Sequence, residues 1–138
     1  MGTSMIAAQS LLLACSLVAV VACDESITGP SARLEREFTL APGETARIED
    51  TNIGVRFTGV RDDSRCPVDV NCIQAGTAVV RITVVDASTQ RDYELRTDGR
   101  SSVRHDDLTI ALVSLAPQPR SSRVIESRDY RATLRVTR

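Results

Sequence analysis

The chain of 138 residues has no lysine, no tryptophan, a single histidine and only 3% aromatic residues. All 17 of its basic residues are therefore arginine, and 18 acidic residues nearly balance them. Charges of the two signs are interspersed, so no long-range field draws the chain toward nucleic acid or anionic lipid. Few side chains are present on which bases or sugars could stack. We expect no nucleic-acid binding.

Catalytic motifs are also lacking. His105 is the single possible imidazole base, and it lies between Arg104 and the acidic pair Asp106 and Asp107. The sequence contains neither a G-x-S-x-G motif nor a glycine-rich phosphate loop. We predict that His105 is a solvated loop histidine and that the adjacent acids form a charged turn. We expect no catalytic residues, no cofactor and no enzymatic activity.

The longest apolar run is short. Residues 11–22 are uncharged, with the length of a signal-peptide core, and too few to span a bilayer comfortably. The run ends at Val20-Val21-Ala22-Cys23, which resembles the bacterial lipobox, where signal peptidase II cleaves before a lipidated cysteine. The resemblance implies that residues 1–22 are removed and that lipidated Cys23 holds the protein on a membrane.

The match to the lipobox has two departures. Residues 1–10 contain no basic residue, and Val20 stands where leucine is usual. Cleavage after Ala22 without lipidation, and an uncleaved anchor, are the alternatives. With lipidation, the protein belongs to the cell envelope, on its periplasmic or extracellular face.

The segment after Cys23 is polar and contains Gly29-Pro30, which disfavours regular structure. We interpret residues 23–33 as the lipidated cysteine with its tether. Residues 34–138 are then one domain, large enough for one modest core.

Alternation of apolar and polar residues recurs from residue 34 onward, separated by turn residues. In the longest such segment, Ala78, Val80, Ile82 and Val84 share one face and the other face is half apolar, which predicts a central strand. Pro42-Gly43 suits a type II turn and predicts a hairpin. The pattern predicts an all-β fold, a small antiparallel, Ig-like sandwich of seven or eight strands.

Two cysteines remain in the exported domain once Cys15 leaves with the signal and Cys23 carries lipid. An oxidising compartment favours a disulfide between Cys66 and Cys72, because the five intervening residues can fold back. Such a bridge would fix one loop locally. A metal-thiolate site or a redox pair is the alternative, although the spacing is not C-x-x-C.

The segment Val60–Gly76 resembles a motif of small bacterial exported proteins and lipoproteins, in which D-S-R-C-P is followed by C-x-W-A-G. The match covers residues 63–67, Cys72 and Ala75-Gly76, and it departs at Gln74, where an aromatic residue is usual. That family has no settled activity, so the resemblance implies a β domain with a disulfide and no particular ligand.

A loop locked by a disulfide between two strands is suited to binding, because part of its ordering entropy is already lost. Its polar side chains are our candidate binding residues: Asp62, Asp63, Arg65, Asp69 and Asn71. Their oxygens are of the kind that Ca²⁺ prefers. However, Asp and Asn also cap turns, and neighbouring arginines can neutralise the carboxylates. The spacing matches no calcium loop, so we assign no metal site.

Three hypotheses follow from the sequence. The first is an envelope-anchored lipoprotein, a non-enzymatic module that binds a protein or surface polymer. The second is a secreted protease inhibitor that presents the loop from Cys66 to Cys72. The third is a calcium-dependent binding module.

Overall fold

The computed structural model describes residues 29–138, which form nine β-strands and one short 3₁₀ turn. The strands are β1 (Ser31–Ala32), β2 (Glu37–Leu40), β3 (Thr45–Ile48), β4 (Gly54–Asp63), β5 (Ala78–Val85), β6 (Gln90–Arg96), β7 (Ser102–His105), β8 (Leu108–Ala116) and β9 (Arg131–Thr137). The 3₁₀ turn, Ser127–Asp129, precedes β9.

The strands form two sheets packed face to face. One sheet has the order β1-β3-β4-β5-β6 and the other β2-β9-β8-β7. Neighbours pair antiparallel except β1, which runs parallel to β3. The predicted β-sandwich is therefore confirmed. Its core contains these large, fully buried side chains: Leu40, Ile48, Phe57, Ile82, Leu95, Ile110 and Leu134.

Strand β5 has the central position that its sequence predicts. It pairs with β4 on one side and β6 on the other. Ala78, Val80, Ile82 and Val84 are all buried against the opposite sheet. Val79 and Thr83, on its outer face, are buried as well, because β5 has a neighbouring strand on each side within the sheet.

The turn at Pro42-Gly43 is present, but the predicted hairpin is wrong. Gly43 has φ +89°, as the third residue of a type II turn requires. The strand before the turn pairs with β9 in one sheet, whereas the strand after it pairs with β4 in the other. A turn sequence fixes chain reversal locally but does not decide which strand pairs with which.

The domain also begins earlier than predicted. Ser31 and Ala32, assigned to the tether, form β1, because Pro30 and Ala32 accept hydrogen bonds from Arg47 and Glu49 of the β3 region at 3.0 and 2.8 Å. Two residues are too few to show an alternating pattern in sequence.

The predicted signal peptide, residues 1–22, and Cys23 lie outside the described residues. Within residues 29–138, no helix is long and apolar enough to cross a bilayer.

The two ends of the sandwich differ. At the end toward which β4 runs, the disulfide loop (residues 64–77) joins β4 to β5, and a second loop (residues 117–130) joins β8 to β9. We call this the disulfide end. The opposite end carries short connections, among them residues 49–53, residues 86–89 and Asp106-Asp107.

Candidate functional site at the disulfide end

Cys66 and Cys72 form the predicted disulfide, with their Cα atoms 6.0 Å apart. Below the bridge, the base of the loop is closed by Ser64 and Thr77. The Ser64 amide donates to the Thr77 carbonyl at 2.9 Å, and the Thr77 amide donates to the Ser64 hydroxyl oxygen at 3.1 Å. A Cβ on Gly76 would overlap the Ser64 carbonyl, so this close approach explains the glycine of the motif.

A buried ion pair supports the loop from within. Arg65 donates from Nε to Asp63 Oδ1 at 2.8 Å and from Nη2 to Asp63 Oδ2 at 2.7 Å, a bidentate arrangement. Both side chains are only 10% exposed. The carboxylate and the guanidinium therefore hold each other in place, and their predicted role in ligand binding stays a prediction.

The same ion pair reaches across to the other sheet. Arg65 also donates to the backbone carbonyls of Leu115 and Pro117, at 2.7 and 2.9 Å. The hydroxyl of Tyr130 donates to Asp63 Oδ2 at 3.0 Å. We call Asp63, Arg65 and Tyr130 the clasp, because they join the end of β4 to the ends of β8 and β9.

Ionisation inside the clasp follows from these contacts. Burial alone would raise the pKa of Asp63, but hydrogen bonds from Arg65, its positive charge and the Tyr130 hydroxyl outweigh burial, so this pKa is lowered. Burial, together with the bond to the Asp63 carboxylate and its negative charge, raises the pKa of Tyr130 to about 12. At neutral pH the clasp therefore consists of a carboxylate, a guanidinium and a neutral phenol.

A second set of contacts fixes the flank of the disulfide loop. Asp69 accepts hydrogen bonds from the amide and hydroxyl of Ser121 at 2.9 and 2.7 Å, and these bonds lower the pKa of Asp69. The Val68 amide donates to the Pro119 carbonyl at 3.0 Å. The disulfide loop and the second loop consequently form one connected surface.

The remaining candidate side chains are exposed. Asp62 lies in an exposed pair with Arg61 at 2.9 Å, and Asn71 is exposed within the disulfide loop. The carboxylates proposed for calcium thus have three separate partners: Arg61, Arg65 and Ser121. Among residues 29–138, no group of three or more His, Cys, Asp or Glu side chains is arranged to hold a metal ion.

The disulfide end also has an apolar part that was not among the predicted site residues. Val68, Val70 and Ile73 are exposed on the disulfide loop, and Ile73 is fully so. Val124 is exposed on the second loop. The alternation of Val68, Val70 and the nearby Ile73 with polar residues was the signal available.

The prediction for His105 is wrong. The residue is only 4% exposed, at the end of β7, and its Nδ1 lies 2.9 Å from the Tyr93 hydroxyl of the other sheet. The histidine fills the edge between the sheets, edge-on to the Tyr93 ring. Asp106 and Asp107 do form the predicted charged turn directly after it.

Comparison of the chain with protein-family models, with curated proteins and with solved structures finds no match. The geometry of the disulfide end is therefore what bears on function.

Proposed function

We propose that this protein is a lipid-anchored, non-enzymatic binding module of the bacterial cell envelope, and that its contact surface is the disulfide end. The observation that carries the proposal is the exposure of Val68, Val70 and Ile73 on a loop fixed at its base and along its flank. Clustered exposed apolar side chains are typical of interaction sites.

The distribution of exposed apolar side chains supports this choice of surface. Five large hydrophobic residues are exposed within residues 29–138, and four of them lie in the two loops of the disulfide end. The clasp and the disulfide hold those loops in one conformation before any partner arrives. A partner then binds without paying the entropy of ordering them.

The anchor is supported by the sequence Val20-Val21-Ala22-Cys23. In a host with signal peptidase II, we expect the wild-type chain to lose residues 1–22, gain lipid on Cys23 and partition into detergent. The variant Cys23→Ala should stay uncleaved or be released without lipid, whereas Cys15→Ala, the matched control, should behave like wild type. A mature protein with a free thiol at Cys23, measured by mass spectrometry, would reject the anchor.

The contact surface can be tested in cells by photo-cross-linking. A photoreactive amino acid is placed at Ile73, and in a matched control at Ala87, an exposed position on the opposite end. We expect adducts from position 73 and none from position 87. Equal labelling from the two ends, or none from position 73, would show that the disulfide end is not the contact surface.

Protease inhibition is a second candidate, favoured by the full exposure of Ile73 beside a disulfide. A rigid loop of this kind can present one side chain to an active-site cleft. We would test purified protein against serine, cysteine and metalloproteases, with Ile73→Asp as the comparison. Inhibition that Ile73→Asp abolishes would favour this function over the first.

A further inference from the structure

We propose that the surface bound by the disulfide end is the phospholipid bilayer itself, with Val68, Val70 and Ile73 inserted between headgroups and acyl chains. This inference rests on the proposed lipid anchor at Cys23. It makes the disulfide end a second membrane contact, which orients the domain against the bilayer that holds it.

The place where the chain enters the domain supports this contact. Strand β1 runs parallel to β3 and both run opposite to β4. Gly29 packs against the carbonyl of Thr45, the first residue of β3. Gly29, the first described residue, therefore lies at the end of β1 that faces the disulfide end.

The connection between Cys23 and the domain is short. Cys23 and Gly29 are six residues apart, so fully extended chain between them reaches about 20 Å. Thr45, beside Gly29, pairs with Arg56 of β4. From Arg56, β4 needs roughly 20 Å to reach Asp63, where the disulfide loop begins. When the disulfide end faces the bilayer, a connection of this length, even fully extended, cannot carry Cys23 past the base of the disulfide loop. The bilayer that holds Cys23 therefore meets the loop.

The two ends of the sandwich also differ in chemistry. The segment between β1 and β2 lies at the opposite end, because β1 runs away from the disulfide end; it is charged, with Arg33, Glu35 and Arg36, and is unsuited to insertion. The disulfide loop instead exposes valine and isoleucine side chains. Arg120, exposed on the second loop, suits lipid phosphates at the rim of the contact, whereas Arg123 on the same loop lies 3.7 Å from the carboxylate of Asp129.

The acidic residue within the disulfide loop does not oppose this arrangement. Asp69 is directed at Ser121, from which its carboxylate accepts two hydrogen bonds. The carboxylate is therefore engaged with the second loop. Because the clasp and the disulfide already fix the loop, insertion costs little further ordering.

The absence of tryptophan makes a direct test possible. The variants Ile73→Trp and Ala87→Trp each carry one tryptophan, at exposed positions on opposite ends. We would reconstitute both lipidated proteins into phosphatidylethanolamine and phosphatidylglycerol vesicles, with and without lipids brominated on the acyl chains. At position 73 we expect blue-shifted emission and a roughly two-fold loss to bromolipid, since such contacts lie about 5–10 Å deep. Position 87 should show neither.

Each outcome decides between specific possibilities. Lipidated protein whose tryptophan at position 73 is unshifted and unquenched overturns the membrane contact while the anchor stands. A blue shift that depends on protein density and ignores bromolipid indicates a second copy as the occupant, and also overturns it. Protein that carries no lipid on Cys23 rejects the proposed anchor instead, as mass spectrometry of the same sample shows.

Discussion

Two buried polar clusters join the sheets of this sandwich, and they are built differently. In the clasp, Arg65 spreads four hydrogen bonds over Asp63 and two backbone carbonyls, and Tyr130 adds another to Asp63. At the β6–β7 edge, His105 has one hydrogen-bond partner, Tyr93. Its Nε2 is buried without a hydrogen bond in the described part of the chain, 3.8 Å from Asp106.

The two clusters differ in how much stability is lost when one partner is removed. A buried ion pair contributes little net stability against an apolar replacement, but removing one partner leaves an uncompensated charge. Loss of a single bond between a phenol and an imidazole does not break an ion pair, and such a bond contributes about 1 kcal/mol to the free energy of unfolding. We therefore expect substitutions of buried polar residues to lower stability more at the disulfide end than at the β6–β7 edge.

The largest expected effect comes from Arg65→Met. This substitution leaves the carboxylate of Asp63 buried without its cation, and the free energy of unfolding should fall by about 3 to 5 kcal/mol. Urea denaturation at neutral pH measures it. The double variant Asp63→Asn with Arg65→Met should recover part of the loss, because the charge is removed as well.

Arg61→Met is the matched control for that prediction. Arg61 pairs with Asp62 and Glu94 at the surface, with about half of its side chain exposed. Its loss should change stability by less than about 1 kcal/mol. If the two arginine variants were equally stable, the clasp would have no more structural weight than a surface pair.

The next effect concerns the alkaline limit of stability. The pKa of Tyr130 is raised from 10 to about 12 in the folded protein. Its contribution to the free energy of unfolding is therefore fully present below pH 10 and is lost as the pH rises toward 12. The loss should amount to about 2 to 3 kcal/mol. In Tyr130→Phe this part of the pH dependence should disappear. A wild-type curve that parallels that of the variant over this range would contradict the assignment.

Removal of the disulfide should have an effect of similar or smaller size. Cys66→Ser with Cys72→Ser frees a short loop, which by chain entropy costs about 2 kcal/mol. The fold should survive, because the buried side chains of the strands do not depend on so local a link. Thermal melting of the double variant and of reduced wild type should agree. A domain that unfolds on reduction would show that the bridge holds more than its loop.

Much of the fold was predictable from sequence, and the reasons are local. Alternation placed Ala78, Val80, Ile82 and Val84 in the core, because neighbouring residues of a strand face opposite sides of the sheet. The pairing of β2 with β9 was not predictable, since those strands lie far apart in the chain. The site divides in the same way. The short disulfide loop was foreseeable, whereas Tyr130 reaches Asp63 only through the packing of the two sheets.

The smallest effect tests the β6–β7 edge directly, through a matched pair of tyrosine variants. Tyr93→Phe removes one hydrogen bond to a histidine, and its cost should be about 1 kcal/mol. Tyr130→Phe removes a bond to a carboxylate, and at neutral pH its cost should be about 2 kcal/mol. Both substitutions delete one hydroxyl from a mostly buried ring, so the difference isolates the charge of the partner. If Tyr93→Phe proved the more damaging in urea denaturation, the histidine edge would be the more sensitive junction between the sheets.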